Sequence, residues 1–136
     1  METDKKTVLV IDDDTDMNTM ICDALEQAGF FPLQAFNGQE ALDHHEIYSP
    51  DAVLLDIMLP DMQGTEVCRA LKARPGKSII IMVSARTDSS SKLSSYLSGA
   101  RRYVTKPFNL DDLVKTLTVE LRQREYTRMQ HQDETA

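Results

Sequence analysis

Apolar and polar positions alternate along this chain in two rhythms. Short apolar runs recur at 7–11 (TVLVI), 30–35 (FFPLQA), 51–55 (DAVLL), 78–83 (SIIIMV) and 102–105 (RYVT). Most are rich in β-branched or aromatic residues, so each reads as a strand. Between them, apolar residues return every three or four positions. Met17, Met20, Ile21, Ala24, Leu25 and Ala28 keep that spacing up to Gly29, which suits a helix C-terminus. Asn37-Gly38 opens a second helix over 39–46, and Gly64 precedes a third with Val67, Cys68 and Leu71 inward. Asp88 caps a fourth that ends near Gly99, in which Leu93, Tyr96 and Leu97 are the apolar anchors among many serines. Asn109 caps a fifth, with Leu110, Leu113, Val114, Leu117 and Leu121 on one face. The first, third and fourth apolar runs are continuous, as expected of strands covered on both sides. Five strands alternating with five helices predict an open, doubly wound parallel α/β sheet.

Length and composition keep this picture simple. The 136 residues fit one domain, and 41% hydrophobic with 27% charged residues is the balance of an ordinary soluble globule. The longest apolar run, 79–83, is far too short to span a membrane. "METDKK" leads into a strand without a signal-peptide pattern. Cys22 and Cys68 lie in helical patterns without metal or redox spacing, and read as reduced, partly buried thiols of a cytoplasmic protein. His44, His45 and His131 read as surface residues, and the closing "RMQHQDETA" as a polar, frayed end.

Charge adds an asymmetry. The net charge is −7, but residues 1–68 carry 15 acidic and 2 basic side chains, while 69–136 carry 7 acidic and 13 basic. An acidic total argues against direct nucleic-acid binding. The split predicts two faces of opposite sign.

Candidate chemistry collects at the strand ends. In open α/β sheets, ligands bind beyond the C-terminal ends of the strands. There the first strand delivers Asp12 and Asp13, the third Asp56, the fourth Ser84 and the fifth Lys106. Crowded carboxylates raise one another's pKa or recruit a cation, and Mg²⁺ is the hard ion suited to carboxylate oxygens with phosphate. A carboxylate in such a site can attack phosphorus, with Lys106 and the Ser84 hydroxyl neutralising the phosphoryl oxygens. Simpler readings compete. Asp14 or Thr15 suits a helix cap. "DDDTD" resembles a calcium loop, but Met17 stands where that loop needs glycine. No GxxxxGK or GxGxxG motif supports nucleotide binding.

Taken together, "VLVIDDD", "PDAVLLDIMLPDMQG", "IIIMVSAR" and "YVTKPF" occur in the order and spacing of one family. Over residues 6–122 the chain resembles the receiver domain of two-component response regulators. The resemblance implies a flavodoxin-like sheet of order 2-1-3-4-5, with a tail at 1–5 and an extended helix end and polar tail at 123–136. It implies that Asp56 accepts a phosphoryl group from a histidine kinase or phosphotransfer protein. Asp13 would bind Mg²⁺ directly, Asp12 mainly through water, and Met58 through its backbone carbonyl. Lys106 would pair with the phosphoryl group, Ser84 would couple it to the following loop, and Tyr103 would be the aromatic that swings inward. The resemblance, with the need to aim Lys106 into the pocket, also predicts a cis Lys106–Pro107 bond.

Two departures bear on partners. Arg101 and Arg102 stand where the family commonly has acidic residues, and the fourth helix is serine-rich. A basic output face carrying Arg86, Lys92, Arg101, Arg102, Lys115, Arg122 and Arg124 is predicted. It suits an acidic downstream target and a monomer or weak dimer. No output domain is recognisable after residue 122, so the chain reads as a single-domain regulator or part of a longer one. The rival reading is a small phosphatase of the haloacid-dehalogenase type, with Asp12 as nucleophile and Asp14 as acid. It wants Thr or Val where the chain has Asp16, and an acidic pair after Lys106 that is missing.

Overall fold

The computed structural model describes residues 5–76 and 78–135; residues 1–4 of the N-terminal tail and the side chain of His131 lie outside what is described. The elements run β1 (Thr7–Ile11), α1 (Thr15–Gln27), β2 (Phe31–Ala35), α2 (Gly38–Tyr48), β3 (Ala52–Leu55), α3 (Gly64–Lys72), β4 (Ile79–Ser84), α4 (Ser89–Leu97), β5 (Arg102–Thr105) and α5 (Leu110–Thr135). The five strands are parallel in the order β2-β1-β3-β4-β5, the order the resemblance implies.

Strand alternation divides the core in two. Val8, Val10, Leu54, Ile81 and Val83 pack on one face against Ile21 and Leu25 of α1 and Leu113, Leu117 and Leu121 of α5. Leu9, Ile11, Val53, Leu55, Ile80 and Met82 pack on the other against Ala41 of α2 and Val67, Cys68 and Leu71 of α3. Each such side chain contributes about 1.5–3 kcal/mol when fully buried. The register aligns Ile11 with Leu55, so β1 and β3 end side by side at Asp12 and Asp56. Burial pushes the Cys22 and Cys68 thiols up to about 11, with acidic neighbours adding to the shift at Cys22. Both are therefore protonated and unreactive.

Four expectations change. His45 is buried, not at the surface. It lies on the inner face of α2, where Arg74 donates to its Nδ1 (3.3 Å), its Nε2 meets the Ser78 hydroxyl (3.0 Å), and Ser78 donates to the Pro50 carbonyl. Burial and the Arg74 charge both pull the His45 pKa below its ordinary value. Second, α5 runs on as helix through Thr135, over most of the stretch that reads as a polar end. Buried Arg124 donates to the Asp51 carbonyl (3.0 Å), and Lys6 pairs with Glu125 (3.4 Å), tying α5 to the N-terminal edge of the sheet. Third, that anchoring removes Arg124 from the basic output face.

The fourth change concerns α4, whose polarity is inverted. Leu93 and Leu97 are 60% and 78% exposed, whereas Ser95 is fully buried and Ser98 nearly so. The serine hydroxyls bond back to the carbonyls one turn earlier, Ser95 to Ser91 (2.8 Å) and Ser98 to Ser94 (2.7 Å). Satisfied in this way, small hydroxyl side chains can be buried at little cost. The leucines anchor nothing.

Candidate functional site

Asp12 and Asp56 end adjacent strands in the same posture. Each accepts, on Oδ1, the backbone N–H two residues on, from Asp14 (2.9 Å) and Met58 (3.2 Å). Each presents Oδ2 to the Lys106 ammonium, at 2.7 Å for Asp12 and 2.9 Å for Asp56. These two local turns arise because a short Asp side chain can cap its own backbone. They leave the outward oxygens converging on one point beyond the sheet. All three side chains are largely withdrawn from water.

The electrostatics follow from that burial. Desolvation raises the Asp12 pKa despite the Lys106 and Asp14 hydrogen bonds that oppose it, with Asp56 adding repulsion. For Lys106, desolvation pulls the pKa down, but the bonds to Asp12 and Asp56 outweigh it and the net direction is up. Lys106 is thus a permanent ammonium at neutral pH. Asp13 lies exposed at the rim, and Asp14 caps α1 by accepting the Met17 N–H (3.1 Å). Asp12 and Asp56 share the single Lys106 ammonium, with Asp13 exposed at the rim, so this end of the sheet holds more carboxylates than cations. Hard oxygen donors and that deficit fit Mg²⁺. Among the described residues no ready-made group of three ligating side chains is assembled. Asp13 faces outward, and Lys106 itself separates Asp12 from Asp56.

Ser84 ends β4, fully buried; its Oγ accepts the Arg86 N–H (3.3 Å), and its carbonyl accepts the Lys106 N–H (2.9 Å). Tyr103 of β5 is half-buried, donates its hydroxyl to the Arg86 carbonyl (2.6 Å), and lies under the Lys92 ammonium at 5.8 Å. Arg86 therefore links the two, its N–H on Ser84 and its carbonyl on Tyr103. The Lys106–Pro107 peptide bond is cis. Met58 is exposed.

Several residues that hold the site were not singled out in the sequence. Gly64 donates to the Ile57 carbonyl (2.6 Å), and a Cβ there would strike the Asp56 carbonyl. Asp61 accepts from Gly38 N–H (2.7 Å) and Gln39 N–H (2.9 Å), clamping the loop after β3 to the start of α2. Those two bonds hold the Asp61 carboxyl below the usual range. Asn18, fully buried, bonds the Asp12 carbonyl from beneath. On the opposite flank Glu120, buried on α5, accepts from Arg101 (2.8 Å) and Arg102 (2.6 Å). The output face is thus less basic than its arginines suggest. Only Asp61 and Gly64, in "PDMQG", left a sequence signal; Asn18 and Glu120 look like ordinary surface-helix polar residues until folded.

A family model described as the response regulator receiver domain matches residues 8–118. The chain is 39% identical over 125 residues to the DNA-binding response regulator MtrA of Mycolicibacterium smegmatis, covering 92% of this chain and 54% of that protein. It is 40% identical over 120 residues to the phosphate regulon transcriptional regulatory protein PhoB of Pseudomonas aeruginosa, covering 86% and 52%. It therefore spans about half the length of these curated relatives. Among solved structures, a CheY-like response regulator receiver domain protein from Methanospirillum hungatei superimposes with a TM-score of 0.86 at 33% identity, covering 90% of this chain and 98% of that one.

Proposed function

The chain belongs to the response regulator receiver domain family of two-component systems, and from that premise we propose that it is a switch phosphorylated on Asp56. The observation that carries the reading is Lys106 bonded to both Asp12 and Asp56 at the end of the sheet. An Asp56 oxygen attacks the phosphorus of a phosphohistidine on a kinase or phosphotransfer protein. The new P–O bond forms as the P–N bond breaks, and the imidazole leaves with the bonding pair and takes up a proton. The Lys106 ammonium shifts from the carboxylates to a phosphoryl oxygen, and the Ser84 hydroxyl donates to another. Asp12, Asp13, Asp56 and the Met58 carbonyl would hold Mg²⁺, which supplies charge neutralisation at the phosphoryl oxygens.

Rotation of the Ser84 hydroxyl towards the phosphoryl group moves the oxygen that accepts the Arg86 N–H, and the Arg86 carbonyl holds Tyr103. That is the route from the acceptor to the face formed by α4, β5 and α5. Exposed Leu93 and Leu97, with Lys92 and Lys115 nearby in the same elements, suit an apolar partner surface bearing acidic residues. The resident state is a monomer or weak dimer in the cytoplasm. Among the described residues no helix is long and apolar enough to cross a membrane. The aspartate-nucleophile phosphatase has no support in the family match.

The test is incubation with a small-molecule phosphodonor and Mg²⁺. One phosphoryl group per chain is expected, none without Mg²⁺ and none in Asp56→Asn. Labelling that persists in Asp56→Asn at one equivalent places the nucleophile elsewhere. Steady turnover of phosphate esters returns the phosphatase.

A further inference from the structure

Asn18 lies on the first turn of α1 with no accessible surface, and both ends of its side-chain amide are engaged. Its Nδ2 faces three backbone carbonyls, Asp12 at 3.1 Å, Ala35 at 3.1 Å and Val10 at 3.2 Å. Its Oδ1 accepts from the Gln34 amide (3.0 Å) and the Cys22 thiol (3.5 Å). This surrounding fixes which end is nitrogen, since a flipped amide would set its oxygen against three carbonyl oxygens. One side chain therefore joins the ends of β1 and β2 to α1, directly under Asp12.

The consequence falls on Asp12. Its N–H is held by the Ala35 carbonyl (3.2 Å), its C=O by Asn18, its Oδ1 by Asp14 N–H and its Oδ2 by Lys106. The Ala35 carbonyl that holds Asp12 N–H is itself held by Asn18. The amide thus touches both backbone anchors of Asp12, its C=O directly and its N–H through the shared Ala35 carbonyl. We propose that Asn18 is a positioning residue for the acidic pocket: it fixes the Asp12 backbone so that the carboxylate faces Lys106 and the metal position, and it sets Mg²⁺ affinity without touching the ion. The inference rests on the phosphoryl-acceptor reading above.

A residue that only fills space lowers stability and leaves the affinity of the folded fraction alone. Asn18→Leu keeps the branched side-chain shape and removes the donors. Ile21→Val, in the same core and on the same helix α1 but without a polar contact to Asn18, is the packing control. Mg²⁺ affinity is measured by calorimetric titration below the melting range of every variant, with amide exchange at Asp12 read in parallel by NMR. Asn18→Leu is expected to lower Mg²⁺ affinity by about 10- to 100-fold, the usual effect of losing an outer-shell partner. It should also accelerate Asp12 exchange. Ile21→Val should lower the melting temperature with affinity within about twofold, as expected of a packing change outside the site. If Asn18→Leu does not fold, Gln34→Leu, which removes the bond orienting the amide, is expected to give a smaller fall of the same sign. An affinity within twofold of wild type in whichever of the two folds overturns the inference while leaving the phosphoryl reading intact. A wild-type chain that takes up neither Mg²⁺ nor phosphoryl overturns both.

Discussion

Gly64 lies flush against the main chain of Asp56, leaving no room for even one methyl group between α3 and the residue proposed to accept phosphate. Gly64→Ala must push the loop after β3 away from α3 or distort it. Overpacking of this kind costs about 1–3 kcal/mol. The variant is expected to melt lower and to take phosphoryl more slowly from a small-molecule donor. Thermal denaturation and a labelling time course check both; a wild-type melting temperature would show that the contact relaxes freely.

Mg²⁺ should raise the melting temperature, because an ion held by the folded pocket is lost on unfolding. At 100 times the dissociation constant the gain is about 2.7 kcal/mol. Asp13→Ala should remove most of the shift. A shift of the same size in that variant would take Asp13 out of the metal site.

Asp12 gives stability a downward slope with pH. Its folded pKa is raised above 3.8, chiefly by burial. Between the two values the folded chain holds more protons than the unfolded chain, so stability falls as pH rises through that window. Asp12→Asn should flatten the fall and melt higher than wild type at neutral pH. Melting curves from pH 4 upward measure it, and an unchanged slope would exclude Asp12 as its source.

His45 acts in the opposite direction. Its folded pKa is depressed below 6.5 by burial and by Arg74, so the unfolded chain binds the proton more readily. The contribution of the neutral ring is complete above pH 6.5 and is lost as pH falls through the lowered folded value. Protonation also removes the acceptor that Arg74 uses. His45→Gln should melt lower at pH 7 and lose less on acidification to pH 5. An equal loss in both proteins would place the acid sensitivity elsewhere.

The inverted α4 should open more readily than α1. Its leucines bury little, and its serines offer the backbone alternative partners. Hydrogen exchange at 92–97 is expected to exceed that at 19–25, and the difference should change on phosphorylation. Slower exchange in α4 would show that its hydroxyl contacts hold it more firmly than apolar packing holds α1.

The sequence made some of this architecture plain and hid the rest, for physical reasons. Asp12, Asp56 and Lys106 stand at strand ends, and a doubly wound sheet brings strand ends together whatever the side chains between them. The continuous apolar runs of β1, β3 and β4 mark strands covered on both faces, and the two halves of the core lie on those faces. The inward face of α4 is not legible, because the rule that apolar residues point inward fails there. Bonds back to the preceding turn satisfy serine hydroxyls and remove the penalty that rule depends on. His45 and Asn18 were invisible as buried groups, since their partners are carbonyls, a guanidinium and a hydroxyl supplied by distant segments. Arg101 and Arg102 look like bare charge in the sequence, because nothing local to them marks Glu120, nearly twenty residues on, as their shared counter-ion.

The clamp formed by Asp61 has a mechanical consequence. Past Asp56 the chain is riveted to α2 through Asp61, to its own backbone through Gly64, and to α3 through the reciprocal Gln63–Glu66 cap. The segment from Ser84 to Asp88 hangs instead on single hydrogen bonds through Arg86. A load applied at the acceptor meets a stiff abutment on one side and a compliant span on the other. Displacement runs along the compliant span, so the side of the molecule that carries α4 is the moving jaw, and the side that carries α2 and α3 is the bench to which it is bolted.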